Sequence, residues 1–157
     1  MNKLLRNVIA IVAIVAVGYF ANKGVQTYLG KQAVGDLSFQ VYSLDNAMEI
    51  AEKGGKLVIA DYSAIWCPTC RKLDTQVFAN ENVALKINNN FVYARLDYDT
   101  EEGATFARRH KLVGFPRVLI LDTKGMKLTE MPLTFDPSEY VLNLDKVTQT
   151  YANNFSH

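Results

Sequence analysis

The sequence predicts an α/β three-layer sandwich, a central mixed sheet flanked by helices, preceded by an N-terminal hydrophobic helix. Three observations predict it. Strand-like and helix-like apolar patterns alternate and then end in a hairpin and a last helix, an order that packs helices on both faces of a sheet. The only two cysteines, Cys67 and Cys70, stand together where a strand pattern gives way to a helix pattern. An uncharged apolar run, residues 8–20, precedes all of this and follows Lys3 and Arg6.

That first run has the layout of a secretory signal or a signal anchor. Ala16 and Gly18 allow a cut, though one that leaves only residues 8–15 as the hydrophobic region. An uncleaved anchor uses residues 4–21, near the lower limit of about 17 residues for a spanning helix, with Arg6 reaching back to the interface. We expect the anchor over residues 1–21, with a cleaved signal peptide as the alternative. Positive charge at the start holds that end in the cytoplasm, so the rest lies in the periplasm or on the outer face of the bacterial cytoplasmic membrane. A buried core helix fits poorly, because the run is apolar on every side. Residues 22–36 carry Gly24, Gly30 and Gly35 without sustained periodicity and read as a tether with some helix near the membrane. The folded domain is taken as 37–157.

Residues 38–42 alternate polar and apolar side chains as a half-buried strand does. Ser43 or Asp45 can cap a short helix with Leu44, Ala47, Met48 and Ala51 on its inner face, ended by Gly54-Gly55. Leu57-Val58-Ile59-Ala60 suits a buried strand, and beyond Trp66 the apolar positions Cys70, Leu73 and Val77 recur at helical spacing. Asn80 breaks or kinks that helix, and residues 83–87 add a turn or two before Asn88-Asn89-Asn90. Residues 91–96 form another strand. Asp99 and Glu102 stand at capping-box spacing before a helix with acids first and bases last. After Gly114-Phe115-Pro116, residues 118–122 and 126–131 flank Thr123-Lys124-Gly125 as an antiparallel hairpin. Asp136-Pro137-Ser138-Glu139 supplies a cap, a first-turn proline and a reciprocal acid for a closing helix, with Tyr140, Val141, Leu144, Val147 and Tyr151 as its buried stripe.

With 157 residues, 49% hydrophobic and a net charge of +1, the chain suits one globular domain plus a short appendage. Its balance offers nothing to nucleic acid. The dense cluster Arg108-Arg109-His110-Lys111 falls where a helix ends and cations satisfy its dipole.

Cysteines three apart in a first helical turn lie on one face, and a helix N-terminus favours negative charge on sulfur. A zinc site wants four ligands, and the chain adds only His110 and His157 as soft or borderline partners. A purely structural disulfide across so short a loop removes little entropy from the unfolded chain. Redox chemistry remains.

Trp66-Cys67-Pro68-Thr69-Cys70 resembles the Trp-Cys-x-x-Cys site of thioredoxin-fold proteins, and Gly114-Phe115-Pro116 before Val118-Leu119-Ile120-Leu121 resembles their cis-proline loop. The likeness covers about residues 37–151 and implies a thioredoxin-like sandwich needing no cofactor beyond a redox-active Cys67–Cys70 disulfide. Cys67, nearest the helix start, is expected to be exposed, to have a lowered pKa and to attack or leave; Cys70 is expected to be the shielded resolving thiol. Pro68 stiffens the loop and removes an N–H. Thr69 brings no charge, which points to a potential nearer the roughly −270 mV of thioredoxin than the roughly −120 mV of DsbA. Asp61 falls on the family's buried acid; with a raised pKa it would take the proton of Cys70, whereas the residues alone also allow a solvated strand-end acid. Asp74, on the same helix side as Cys70, resembles a second carboxylate of the C-terminal thioredoxin-like domain of DsbD; an exposed helix-face acid is the alternative. Arg95 aligns with a lysine near the family's buried acid and keeps its charge. Pro116 should be cis, with Phe115 offering backbone groups to an extended substrate. Trp66 should form a lid, and Trp66, Pro68, Phe115 and Pro116 an exposed docking patch. Arg117, where the family carries a small polar residue, should bias partners toward acidic segments.

The resulting expectation is an exported, membrane-tethered thiol–disulfide oxidoreductase that exchanges electrons with protein disulfides as a reductant. A dithiol donor, with a membrane electron carrier as one candidate, would recharge it. One rival is a disulfide-forming oxidant. The other is a metallochaperone or assembly factor holding copper(I) on the same thiolates, although Met126 and Met131 fall short of the methionine and histidine clustering such a site wants.

Overall fold

The structure, a computed structural model, describes residues 2–151; His157 and the end of the expected domain lie outside them. The elements run α1 (Lys3–Gly35), β1 (Val41–Tyr42), α2 (Leu44–Gly54), β2 (Leu57–Ser63), α3 (Pro68–Leu73), a π turn (Asp74–Phe78), α4 (Glu81–Asn90), β3 (Phe91–Asp97), α5 (Glu101–His110), β4 (Arg117–Leu121), β5 (Lys127–Glu130) and α6 (Pro137–Tyr151). The five strands form one mixed sheet in the order β1-β3-β2-β4-β5. β1 and β2 lie parallel to β3, while β4 runs antiparallel to both β2 and β5.

β2 is buried throughout because it lies mid-sheet with helices on both faces. Its side chains alternate, as the pleat requires. Leu57 and Ile59 join Leu73, Phe78, Ile87 and Leu144 in one core layer, beneath α3, α4 and α6. Val58, Ala60 and Tyr62 join Ala47, Ala51 and Phe106 of α2 and α5 in the other. This parity sends Asp61 to the face beneath α3, and the β2–β3 register sets Arg95 directly beside it.

Local differences from the sequence reading have local causes. The first strand shrinks to two residues, the only part that reaches β3. Ser43 stands at the cap of α2 without a side-chain bond, and the Leu44 N–H donates instead to Glu102 Oε1 at 3.0 Å. Glu102 therefore does not close a capping box with Asp99; Thr100 caps α5 by accepting from the Gly103 N–H at 3.0 Å. Asn80 breaks the cysteine helix by capping the next one, through its Oδ1, and α4 then runs on through the asparagine run. Asp136 Oδ1 caps α6, but Glu139 accepts from the Thr134 hydroxyl rather than reaching back.

Residues 22–35, expected as a tether with some helix near the membrane, continue α1 as regular helix throughout. Gly30 and Ala33 are buried, with Lys23, Gln26 and Thr27 partly covered, a stripe at helical spacing facing the domain. Contact with the domain offsets the poor helix propensity of the glycines. At Gly30 the fit is tight: a Cβ would lie 1.9 Å from the Ile65 carbonyl oxygen. The apolar half of α1 is exposed, and by length and composition α1 suffices to cross a membrane.

Candidate active site

Beyond β2, a turn closed by the Cys67 N–H on the Ala64 carbonyl at 2.9 Å leads into α3. Cys67 occupies the N-cap, and its Sγ accepts from the Cys70 N–H at 3.1 Å. Pro68 supplies the first helical residue, where its missing N–H costs nothing, and is exposed with Thr69. Both cysteines are free thiols. Cys67 was expected to be exposed, yet it is only 6% exposed against 2% for Cys70, because Trp66, Phe115 and Ala64 pack around the pair. Burial, reinforced by the Cys70 hydrogen bond with Cys67 and by the charge of Asp61, pushes the Cys70 thiol far above the usual thiol range.

Beneath α3 lies a buried ionic cluster. Asp61 Oδ2 accepts from the Ser63 hydroxyl at 3.0 Å and the Tyr93 hydroxyl at 2.7 Å, and lies 3.2 Å from an Arg95 guanidinium nitrogen. The same nitrogen donates to Asp74 Oδ1 at 2.8 Å. The Arg95 side chain is 8% exposed and each carboxylate 1%, which excludes both the solvated strand-end acid and the exposed helix-face acid. Asp74 opens the π turn, whose extra residue per turn helps carry it inward. Burial raises Asp74 to about 6, against the pull of Arg95 and with the help of Asp61. Burial also works against the charge on Arg95, but Asp61, Tyr93 and Asp74 outweigh it, so the guanidinium stays charged. Asp61 Oδ1, Asp74 Oδ2 and Arg95 Nε have no hydrogen-bond partner among the described residues.

The Phe115–Pro116 peptide is cis. Pro116 is buried and Phe115 and Trp66 half-buried, so of the expected exposed docking patch only Pro68 is fully open. Trp66 is pinned from several directions: its Nε1–H donates to Asp99 Oδ2 at 2.7 Å, and its ring meets Phe115 and Tyr98 edge-on at 5.7 and 6.5 Å. Lys23 of α1 sits 4.9 Å above that ring and 3.3 Å from Asp99. Arg71 of α3 donates to the Gln26 side chain of α1. Arg117 pairs with Glu130 at 2.6 Å, so its charge does not stand free for acidic partners as expected. A cleft beside the cis-proline is lined by Leu73, Pro116, Arg117, Met131 and Leu133. Met131 is buried and Met126 exposed, while His110 packs on Phe106. Among the described residues no group of three or more histidine, cysteine or carboxylate side chains converges on a metal position.

Ser63 and Tyr93 were missed by the sequence reading, yet strand parity places both on the face of Asp61. Lys23, Tyr98 and Asp99 were also missed as site residues, and no local pattern singles them out. They meet Trp66 only through the fold.

A thioredoxin-like family model matches residues 40–123. The chain is 26% identical over 119 residues to the thiol:disulfide interchange protein DsbD of Yersinia pestis, covering 73% of this chain and 20% of that one. It spans a fifth or less of the length of the first curated relatives it matches. Among solved structures, a thioredoxin from Thermus thermophilus superposes with a TM-score of 0.65 at 23% identity, covering 74% of this chain and 94% of that one. The oxidised DsbD C-terminal domain of Neisseria meningitidis gives 0.56 at 18% identity, covering 68% and 98%. Both show a shared fold.

Proposed function

The chain belongs to the thioredoxin-like family of thiol–disulfide oxidoreductases, and from that premise we propose that it is a membrane-anchored reductant passing two electrons from Cys67 and Cys70 to protein disulfides outside the cytoplasm. The observation that carries this reading is the inequality of the two sulfurs. Cys67 Sγ receives an N–H at a helix start, whereas Cys70 is held protonated by burial above Asp61.

Cys67 attacks one sulfur of a substrate disulfide as the thiolate, and the other substrate sulfur leaves and takes a proton. Cys70 then yields its proton and attacks the Cys67 sulfur, which expels the second substrate thiol and closes the Cys67–Cys70 disulfide. Asp61 is the acceptor for the Cys70 proton, supported by its burial beneath α3 and by an Oδ1 with no hydrogen-bond partner among the described residues. Arg95 and Asp74 position that carboxylate and tune its charge. Trp66 covers the thiols, and Phe115 with Pro116 lines the groove for an extended substrate segment.

Thr69 supports the reducing direction, since it offers Cys67 no cation. A dithiol donor must return two electrons per cycle. Residues 1–21 serve as the anchor, in keeping with the exposed apolar half of α1, and put the domain in the periplasm or on the outer face of the cytoplasmic membrane.

A measured reduction potential, taken with the rate of insulin disulfide reduction, tests the proposal. The expected value is nearer roughly −270 mV than −120 mV. A value near the latter, with slow insulin reduction, makes the protein an oxidant. Tight copper(I) retention without insulin reduction makes it a metal carrier.

A further inference from the structure

α1 carries the membrane run and the wall of the redox site on one unbroken helix. Residues 4–20 rise about 26 Å, close to the hydrocarbon thickness of about 30 Å, so little slack remains for the helix to slide or tilt. Lys23 is the first charge after the run, about 4.5 Å of helix rise beyond Phe20. It touches both Trp66 and Asp99. Gln26, one turn on, bonds Arg71, and Gly30, another turn on, meets the Ile65 carbonyl. The domain is therefore seated along α1 at three successive turns, and the Trp66 ring is the part that meets the turn nearest the membrane run. Tyr98, 47% exposed, and Phe115 complete an aromatic group around Trp66 at that level. Aromatic rings beside a lysine are the side chains that favour a membrane–water interface.

We propose that α1 fixes the Trp66–Cys67 site at the headgroup layer, so that its exchange partner is a disulfide or dithiol of an integral membrane protein presented at that surface. This rests on the anchored reading above. A soluble protein carrying a disulfide has to approach past lipid and α1, which a small disulfide does not, whereas a membrane-borne one meets Cys67 by diffusion in two dimensions.

The test uses the full chain in phospholipid vesicles. Trp66 is the only tryptophan, so its emission reports the site alone. A spin label on lipid headgroups should remove most of that emission. Seven alanines inserted after Ala21 lift the domain by about 10 Å with little change of helical phase, and should restore it. The second probe is a phosphatidylethanolamine carrying a pyridyl disulfide on its headgroup. Cys67 attacks this disulfide and releases pyridinethione; Cys70 then displaces the lipid thiol, so two electrons leave the protein for each disulfide reduced. The parent chain should react about tenfold faster than the lengthened chain, with equal rates toward a water-soluble pyridyl disulfide. Loss of the chain from vesicles in alkaline carbonate overturns the anchored reading and this inference with it. Retention with unquenched Trp66, or equal rates of both chains toward the lipid disulfide, overturns this inference and leaves the anchored reductant standing.

Discussion

Replacing Asp74 by asparagine tests the buried cluster through the pH dependence of stability. Asp74 holds its proton up to about 6 in the fold against an ordinary 3.8, chiefly because it is buried. A carboxyl raised in the fold stabilises fully below its unfolded value, and that contribution is lost as pH climbs through the folded value. Between about pH 4 and 6 the folded chain binds more protons than the unfolded one at this site, so stability falls as pH rises. The gap between 3.8 and about 6 corresponds to about 3 kcal/mol. The amide that replaces the carboxyl cannot ionise, so the variant lacks that fall. It also loses a charged hydrogen bond to Arg95, worth about 1.5–3 kcal/mol. That bond is already netted against burial in the raised value, which makes slope and not level the signature. Urea unfolding of the full chain in detergent micelles, followed by Trp66 emission at several pH values from 4 to 7, reads it. The wild-type minus variant difference should decline by about 3 kcal/mol across this range. A flat or rising difference refutes the assignment of a raised, buried Asp74.

Three further outcomes follow from the same geometry. Arg95→Met leaves two buried carboxylates without their shared cation and should destabilise by about 3–5 kcal/mol at pH 7, less at pH 4, measured by the same unfolding. Cys67→Ser should abolish insulin reduction while Cys70→Ser accumulates mixed disulfides visible on non-reducing gels; full turnover by the second variant contradicts the assigned roles. Gly30→Ala puts a methyl against the Ile65 carbonyl and should cost about 1–3 kcal/mol, with a changed Trp66 emission; an unchanged spectrum and midpoint would show that α1 is not seated there.

What the sequence disclosed was whatever depends on short-range pattern. The apolar run 57–60, the Cys67–Cys70 spacing and the acids and bases of α5 each constrain a neighbour within a turn or a pleat, and those elements stand as expected. Long-range pairing was less legible. Arg95 was placed near Asp61 by likeness to a family, but that one nitrogen bridges Asp61 and Asp74 depends on strand register and on a π turn that no periodicity announces. Glu102 had the right spacing for a capping box and was claimed by Leu44 across the fold. The stripe Lys23, Gln26, Gly30, Ala33 was hidden because a lysine, an amide, a glycine and an alanine do not register as an apolar face, although against a close backbone small residues are what fits.

The seating of α1 bears on how a water-soluble version of this protein should be cut. A fragment beginning at the sheet, near residue 37, would strip Lys23 from Trp66 and Gln26 from Arg71, and would bare the backbone groove at Ile65. One beginning near Asn22 sheds the greasy segment and retains the whole docked half of the helix, so the start codon chosen for expression decides whether the purified enzyme keeps the helix that packs on Trp66 and Ile65.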